Sequence, residues 1–186
     1  MAATPRVRGL ALTIGLSIAG CTPVKDAEEP TNPDAAGDLP PDAATRRVSF
    51  AWTDLKGRPL DSASMLGRIS VIAFIATYDV TSQAEARFLT AISRRHVPRL
   101  NVAIVVLEQQ TNQPMVEAFV DALGITYPVA LADAATLAGH GPFEGLHHVP
   151  SVVVLDKEGH ERARHIGFLD EQQLDALIRE VERAAR

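Results

Sequence analysis

Cysteine is nearly absent: Cys21 is the one thiol among 186 residues. A chain with a single sulfhydryl near its start closes no internal disulfide and offers no resolving partner for a thiolate. Also missing is any basic run, or any interleaving of aromatic and basic side chains of the kind that tracks a phosphate backbone. Asp and Glu outnumber Lys and Arg by 23 to 18, so nucleic acid is excluded as a partner class. The apolar run at residues 10–18 is shorter than the roughly 20 residues that a mature helix needs to span a bilayer.

What stands at the start is a targeting signal. Arg6 and Arg8 precede the short apolar run, and Ile18-Ala19-Gly20-Cys21 resembles the lipobox of bacterial lipoproteins. That resemblance implies cleavage before Cys21 and acylation of its sulfur, several acyl chains on one residue giving a stable anchor. Residues 1–21 are therefore expected to be a lipoprotein signal ending in a lipidated Cys21, and the lipid bilayer to be a partner through it. Thr22, in place of an aspartate, favours the outer membrane over the inner. Residues 22–47 carry Pro23, Pro30, Pro33, Pro40 and Pro41, six acidic side chains and no aromatic. Such a segment buries too little apolar surface to offset its ordering entropy and is expected to be a solvated tether, on the order of 30 Å in reach.

The domain is expected to occupy residues 48–186. Val48, Phe50 and Trp52 alternate as on a half-buried strand, and Gly57 marks a turn into a second short extended piece around Leu60, an N-terminal hairpin. Residues 69–76 form a continuous apolar run suited to a strand buried on both faces. Ser82 and Glu85 have the spacing of a capping box opening a helix to about His96. Further strands are expected at 101–107, 127–131, 151–155 and 161–165. Helices are expected opening at Asn112 with Pro114 and ending at Leu123-Gly124, over 133–138, and after Asp170, the last with Leu174, Leu177, Ile178 and Val181 inward. This order predicts an α/β sandwich with a central mixed β-sheet flanked by helices.

Residues 50–66 resemble the D-L-D-G-K-P-L-S-L-S-D-L-K-G-K segment that opens TlpA/ResA-like thiol-disulfide oxidoreductases and AhpC/TSA redoxins. Residues 74–85, F-I-A-T-Y-D-V-T-S-Q-A-E, lie over that family's F-W-A-T-W-C-G-P-C-R-A-E, with Phe74, Ala76, Thr77, Ala84 and Glu85 in common. Val149-Pro150-Ser151 and the following strand and Asp156-Lys157-Glu158-Gly159 turn resemble its V-P-T cis-proline segment. The resemblance implies a thioredoxin-like fold from about residue 48 to the end, with thiol-disulfide exchange as the ancestral chemistry. The two cysteine positions hold Asp79 and Ser82, and neither a carboxylate nor a hydroxyl performs that exchange.

Catalytic residues are accordingly not expected, and neither is a cofactor. The resemblance places the start of the first long helix opposite the cis-proline loop. A ligand groove is therefore expected from Tyr78, Asp79, Ser82, His148, Val149 and Pro150, open to an envelope polypeptide, a small ligand or an anion. Asp79 reads as capping electrostatics and Ser82 as an N-cap, no Gly-x-Ser-x-Gly elbow surrounding it. Asp79 with His147 and His148 is the alternative, a metal-binding carrier, although their spacing matches no zinc pattern. The expected function is a redox-inactive binding or scaffold module of the bacterial cell envelope. The alternative is a redoxin relative with altered, non-cysteine chemistry.

Overall fold

The longest apolar run in the domain becomes the middle of the sheet. In the computed structural model, strand β3 (Ile69–Ile75) is buried along its whole length. It lies between β4 (Leu100–Val106), to which it is parallel, and β6 (Ser151–Leu155), to which it is antiparallel. The structure describes residues 47–96 and 98–185; the lipobox, Cys21 and the tether up to Arg46 lie outside the described residues. β5 (Val129–Leu131) adds to β4 in parallel and β7 (Glu161–Ile166) to β6 antiparallel, giving the mixed order β5-β4-β3-β6-β7. Both faces of β3 are covered, which is why its sequence shows no alternation.

Alternate residues of β3 feed two cores. Val71, Ala73 and Ile75 pack with α1 (Val80–His96), α2 (Gln113–Leu123) and α4 (Glu171–Ala184) through Leu89, Ile92, Val116, Leu174 and Ile178. Ile72 and Phe74 face a second core with Phe50, Trp52, Leu60, Phe143 and Leu146. The expected hairpin is present as β1 (Ala51–Thr53) and β2 (Pro59–Asp61), a separate antiparallel pair with Trp52 opposite Leu60. Asp54 closes its turn: one carboxylate oxygen accepts from the amides of Lys56 and Arg58, the other from the Arg58 guanidinium. Arg47, the last residue assigned to the tether, already belongs to the fold, bridging to His160.

One helix start differs from expectation. α1 begins at Val80, not after Ser82, because Asp79 caps it; Ser82 then sits in the first turn, fully buried. A capping box does form, at Asp170 and Gln173 on α4. Gly124 ends α2 in the left-handed conformation at φ 60°, as the Leu123-Gly124 step predicts. The helical turn near residue 133 is α3 (Ala134–Leu137), capped by Asp133. Among the described residues, no helix is long and apolar enough to cross a membrane.

Candidate functional site

Because β3 and β6 are antiparallel, with Phe74 opposite Ser151, the segment leaving β3 and the segment entering β6 meet at one end of the sheet. Residues 76–82 and 147–150 are those segments. Tyr78 and Val80 stand 73% and 76% exposed on one side. On the other, His147 and His148 are exposed, Val149 is half-buried and Pro150 is buried behind a cis Val149–Pro150 peptide bond.

The β3 segment is held from beneath. Glu108, at the carboxyl end of β4, accepts from both the amide and the hydroxyl of Thr77, each at 2.6 Å, and its second oxygen accepts from Asn112. Gln83 donates to the Thr77 carbonyl, and the buried Ser82 hydroxyl accepts from the Ala76 amide at 3.3 Å. Ser82 is thus a brace inside the loop, its hydroxyl on the Ala76 amide and its own amide on the Asp79 carboxylate.

Asp79 occupies the charge site of the helix. Its carboxylate accepts from the Ser82 amide and the Thr81 hydroxyl, each at 2.6 Å, so free amides and positive dipole at this N-terminus are answered from within the chain. Partial burial opposes ionisation, but the hydrogen bonds from Thr81 and Ser82 outweigh it and hold the carboxyl below the usual range. An external anion, one of the three expected occupants, finds that position taken.

Glu85 lies behind this surface, fully buried. One of its oxygens accepts from the Leu169 amide at 2.9 Å, tying α1 to the turn before α4; the other has no partner among the described residues. Burial pushes its carboxyl up to about 7, the Leu169 amide opposing and the Asp79 charge adding to the shift.

The cis-proline side is strapped by a buried ion pair. Arg164 on β7 makes two hydrogen bonds to Glu161, at 2.6 and 2.9 Å, and its remaining reach goes to the Glu144 carbonyl at 2.7 Å. Gly141 is needed where the loop crosses α3, since a Cβ there would lie 2.6 Å from the Thr136 hydroxyl. The Ser151 hydroxyl donates to the His148 carbonyl, and the Gly167 amide to that of Pro150.

His147 and His148 are near neighbours, ring centres 4.2 Å apart. Among the described residues, however, the trio of possible ligands converging within 4.8 Å is Asp156, Glu158 and His160, at the opposite end of β6. Asp156 there is already held by the Arg162 guanidinium and by the amides of Glu158 and His160. Asp79, His147 and His148 do not converge in that way. Sequence reasoning did not single out Glu108 or Arg164; a carboxylate placed just beyond a buried strand run was the available signal for Glu108.

No family model matches the chain. Its sequence is 22% identical over 133 residues to the thiol-disulfide oxidoreductase ResA of Bacillus thuringiensis (strain Al Hakam), covering 72% of this chain and 75% of that one, and equally to ResA of Bacillus anthracis. Among solved structures it is similar to a thiol:disulfide interchange protein of the thioredoxin family from Chlorobium tepidum TLS. That match has a TM-score of 0.65 and 22% identity, over 78% of this chain and 99% of the other. A DsbF homologue from Corynebacterium diphtheriae matches with TM-score 0.67 and 18% identity, over 82% and 96% of the two chains. The pneumococcal exposed lipoprotein thioredoxin from Streptococcus pneumoniae strain TIGR4 matches with TM-score 0.57 and 19% identity, over 71% and 98%.

Proposed function

Taking this chain as a member of the thioredoxin-like superfamily by fold, with Asp79 and Ser82 where the family places its cysteines, we propose that it is a redox-silent binding module of the bacterial cell envelope. It is anchored through acylated Cys21 and holds an extended polypeptide between residues 78–82 and 147–151. Exchange requires an attacking thiolate and a second sulfur, and beyond Cys21 the chain has neither.

The observation that carries the binding reading is the Asp79 carboxylate on the Ser82 amide. It satisfies the helix terminus that would otherwise favour an anion, while leaving Tyr78 and Val80 exposed beside the cis-proline segment. Exposed apolar side chains at the end of the sheet where the cis-proline segment enters β6 suit an extended peptide better than a small charged ligand. The lipobox supports an extracytoplasmic address, and one structural neighbour is itself an exposed lipoprotein.

The test uses the full chain and a permanently unfolded, carboxymethylated polypeptide carrying a fluorophore. Anisotropy should report binding that falls at least tenfold in Tyr78→Ala and is unchanged in Met115→Ala, an exposed apolar residue on α2. Insulin reduction should be absent throughout, and the purified chain should carry no stoichiometric copper or zinc. Binding indifferent to Tyr78, or one equivalent of metal lost in His147→Ala, would replace this reading with the metal carrier.

A further inference from the structure

The end of the sheet opposite the groove carries a different surface. β3 starts there, with the exposed Arg68 just before it, and the β6–β7 turn supplies the exposed Lys157. The Gly67 amide donates to the Lys157 carbonyl at 2.8 Å, which places Arg68 and Lys157 side by side. Arg99, just before β4, lines two clefts: one shared with Arg68 and Lys157, the other with His96, Arg179 and Arg183 from the ends of α1 and α4.

Asp175 in the second cleft is engaged by Arg179 and His96. Among the described residues, no carboxylate pairs with Arg68, Arg99, Lys157 or Arg183. Glu182 is the other acidic residue lining these clefts. Arg68 reaches the Asn101 side-chain oxygen and Arg183 the Arg179 carbonyl, both neutral acceptors, so a chain with an excess of acidic residues overall gathers cations without carboxylate partners at one end of its described residues. Leu66, 40% exposed, sits beside Arg47: a Cβ built on Gly159 would lie 3.2 Å from both Leu66 and Arg47.

The described chain begins at this end. Arg47 bridges to His160 and the Val48 amide donates to the Gly159 carbonyl at 2.9 Å. Cys21 is 26 residues upstream of Arg47 in sequence. The groove is at the far end of β3, whose seven residues span about 20 Å.

We propose that this basic end, Arg47, Arg68, Arg99, Lys157 and Arg183, with Leu66 exposed beside Arg47, is a docking face for the headgroups of an anionic phospholipid bilayer. It rests on the reading of Cys21 as the lipid anchor, and it turns the groove away from the membrane. Cationic side chains with an exposed leucine beside one of them match a layer of negative headgroups over acyl chains, and a patch of this kind adds to an acyl anchor as a second membrane signal. Because the anchor already confines the domain near the surface, the patch need only orient it. The attraction must weaken with salt, since the charges are solvent-exposed.

The experiment reconstitutes the full acylated chain in vesicles of phosphatidylcholine alone or with about one third phosphatidylglycerol, a composition that supplies the negative surface potential. With Cys21 acylated, a cysteine introduced by Glu158→Cys or by Tyr78→Cys is the sole labelling site, and energy transfer to a headgroup acceptor reports each end. In anionic vesicles the residue 158 probe should transfer at least threefold more than the residue 78 probe. That ratio should fall toward one in phosphatidylcholine, in 0.5 M salt, and in the triple variant Arg68→Gln, Arg99→Gln, Arg183→Gln. An equal ratio in both vesicle types, or one untouched by the triple variant, overturns the proposal. Intact mass of the membrane-extracted chain separately reports whether Cys21 is acylated. If it is not, the anchor reading fails alone, and sedimentation of the unmodified chain with the same two vesicle types decides the patch: selective, salt-sensitive pelleting with anionic vesicles upholds it, and none overturns it.

Discussion

At the scale of single residues, the site is governed by two carboxylates in opposite surroundings. Asp79 is partly exposed and accepts from Thr81 and Ser82, so its charge is stabilised; Glu85 is sealed in the core with one oxygen unanswered. For Glu85, burial raises the folded-state value to about 7 from an ordinary 4.5. Between those two pH values the unfolded chain has released this proton and the folded chain retains it. The contribution of Glu85 to stability is therefore complete below about pH 4.5 and is lost as pH rises through 7, by on the order of 3 kcal/mol. Glu85→Gln, which keeps an acceptor for the Leu169 amide, should remove this part of the pH dependence. Urea midpoints at pH 4.5 and 8 should lie closer together in the variant than in the parent, and an equal gap would show that Glu85 does not titrate in this window.

At the scale of elements, the start of α1 decides which residues form the site. Asp79-Val80-Thr81-Ser82 and Ser82-Gln83-Ala84-Glu85 both have the three-residue spacing of a cap, and local spacing alone favours the second through its Ser–Glu pair. The structure uses the first, and the shift has a physical sense. With the helix beginning at Val80, Ser82, Glu85, Leu89 and Ile92 fall on one face, and that face is buried. Glu85 belongs to an apolar stripe at i, i+4 and i+7 and has no access to an N-cap amide. The strand runs were legible because β3, β4 and β6 are continuous in branched apolar residues, and the hairpin because Val48, Phe50 and Trp52 alternate. Long-range partners such as Glu108 with Thr77, 31 residues apart, leave no mark on local spacing. That latch fixes the height of the loop carrying Tyr78. Glu108→Ala leaves the Thr77 amide and hydroxyl without their acceptor in a buried place and should cost about 2–4 kcal/mol in urea unfolding, with weaker polypeptide binding in parallel. Thr77→Val, which removes the hydroxyl bond but keeps the amide one, should cost less than half as much.

At the scale of the whole molecule, the two faces of the sheet divide the work. One face, under α1, α2 and α4, is aliphatic; the other holds the aromatic group Phe50, Trp52, Phe74 and Phe143. Phe143 belongs to the loop before the cis-proline, and its ring lies 5.8 Å from Phe50, 5.6 Å from Phe74 and 6.4 Å from Trp52. The N-terminal hairpin therefore packs against the same side chain that anchors the cis-proline segment, while Arg164 holds that loop to β7 through the Glu144 carbonyl. Hairpin, loop and groove are coupled through this ring together with Leu146 of the same loop. Phe143→Ala removes it from a site where it is 2% exposed and should cost about 3–5 kcal/mol, the range for emptying an aromatic position in a core. Trp52 is the one tryptophan in the chain and stacks on that ring, so its emission reports the same event. Below the unfolding midpoint, the variant should show a red-shifted Trp52 spectrum and loss of polypeptide binding, while far-ultraviolet circular dichroism keeps the helical signal of α1, α2 and α4. An unshifted spectrum with binding intact would mean that the hairpin and the cis-proline loop do not depend on this ring, Leu146 and Arg164 then holding the loop.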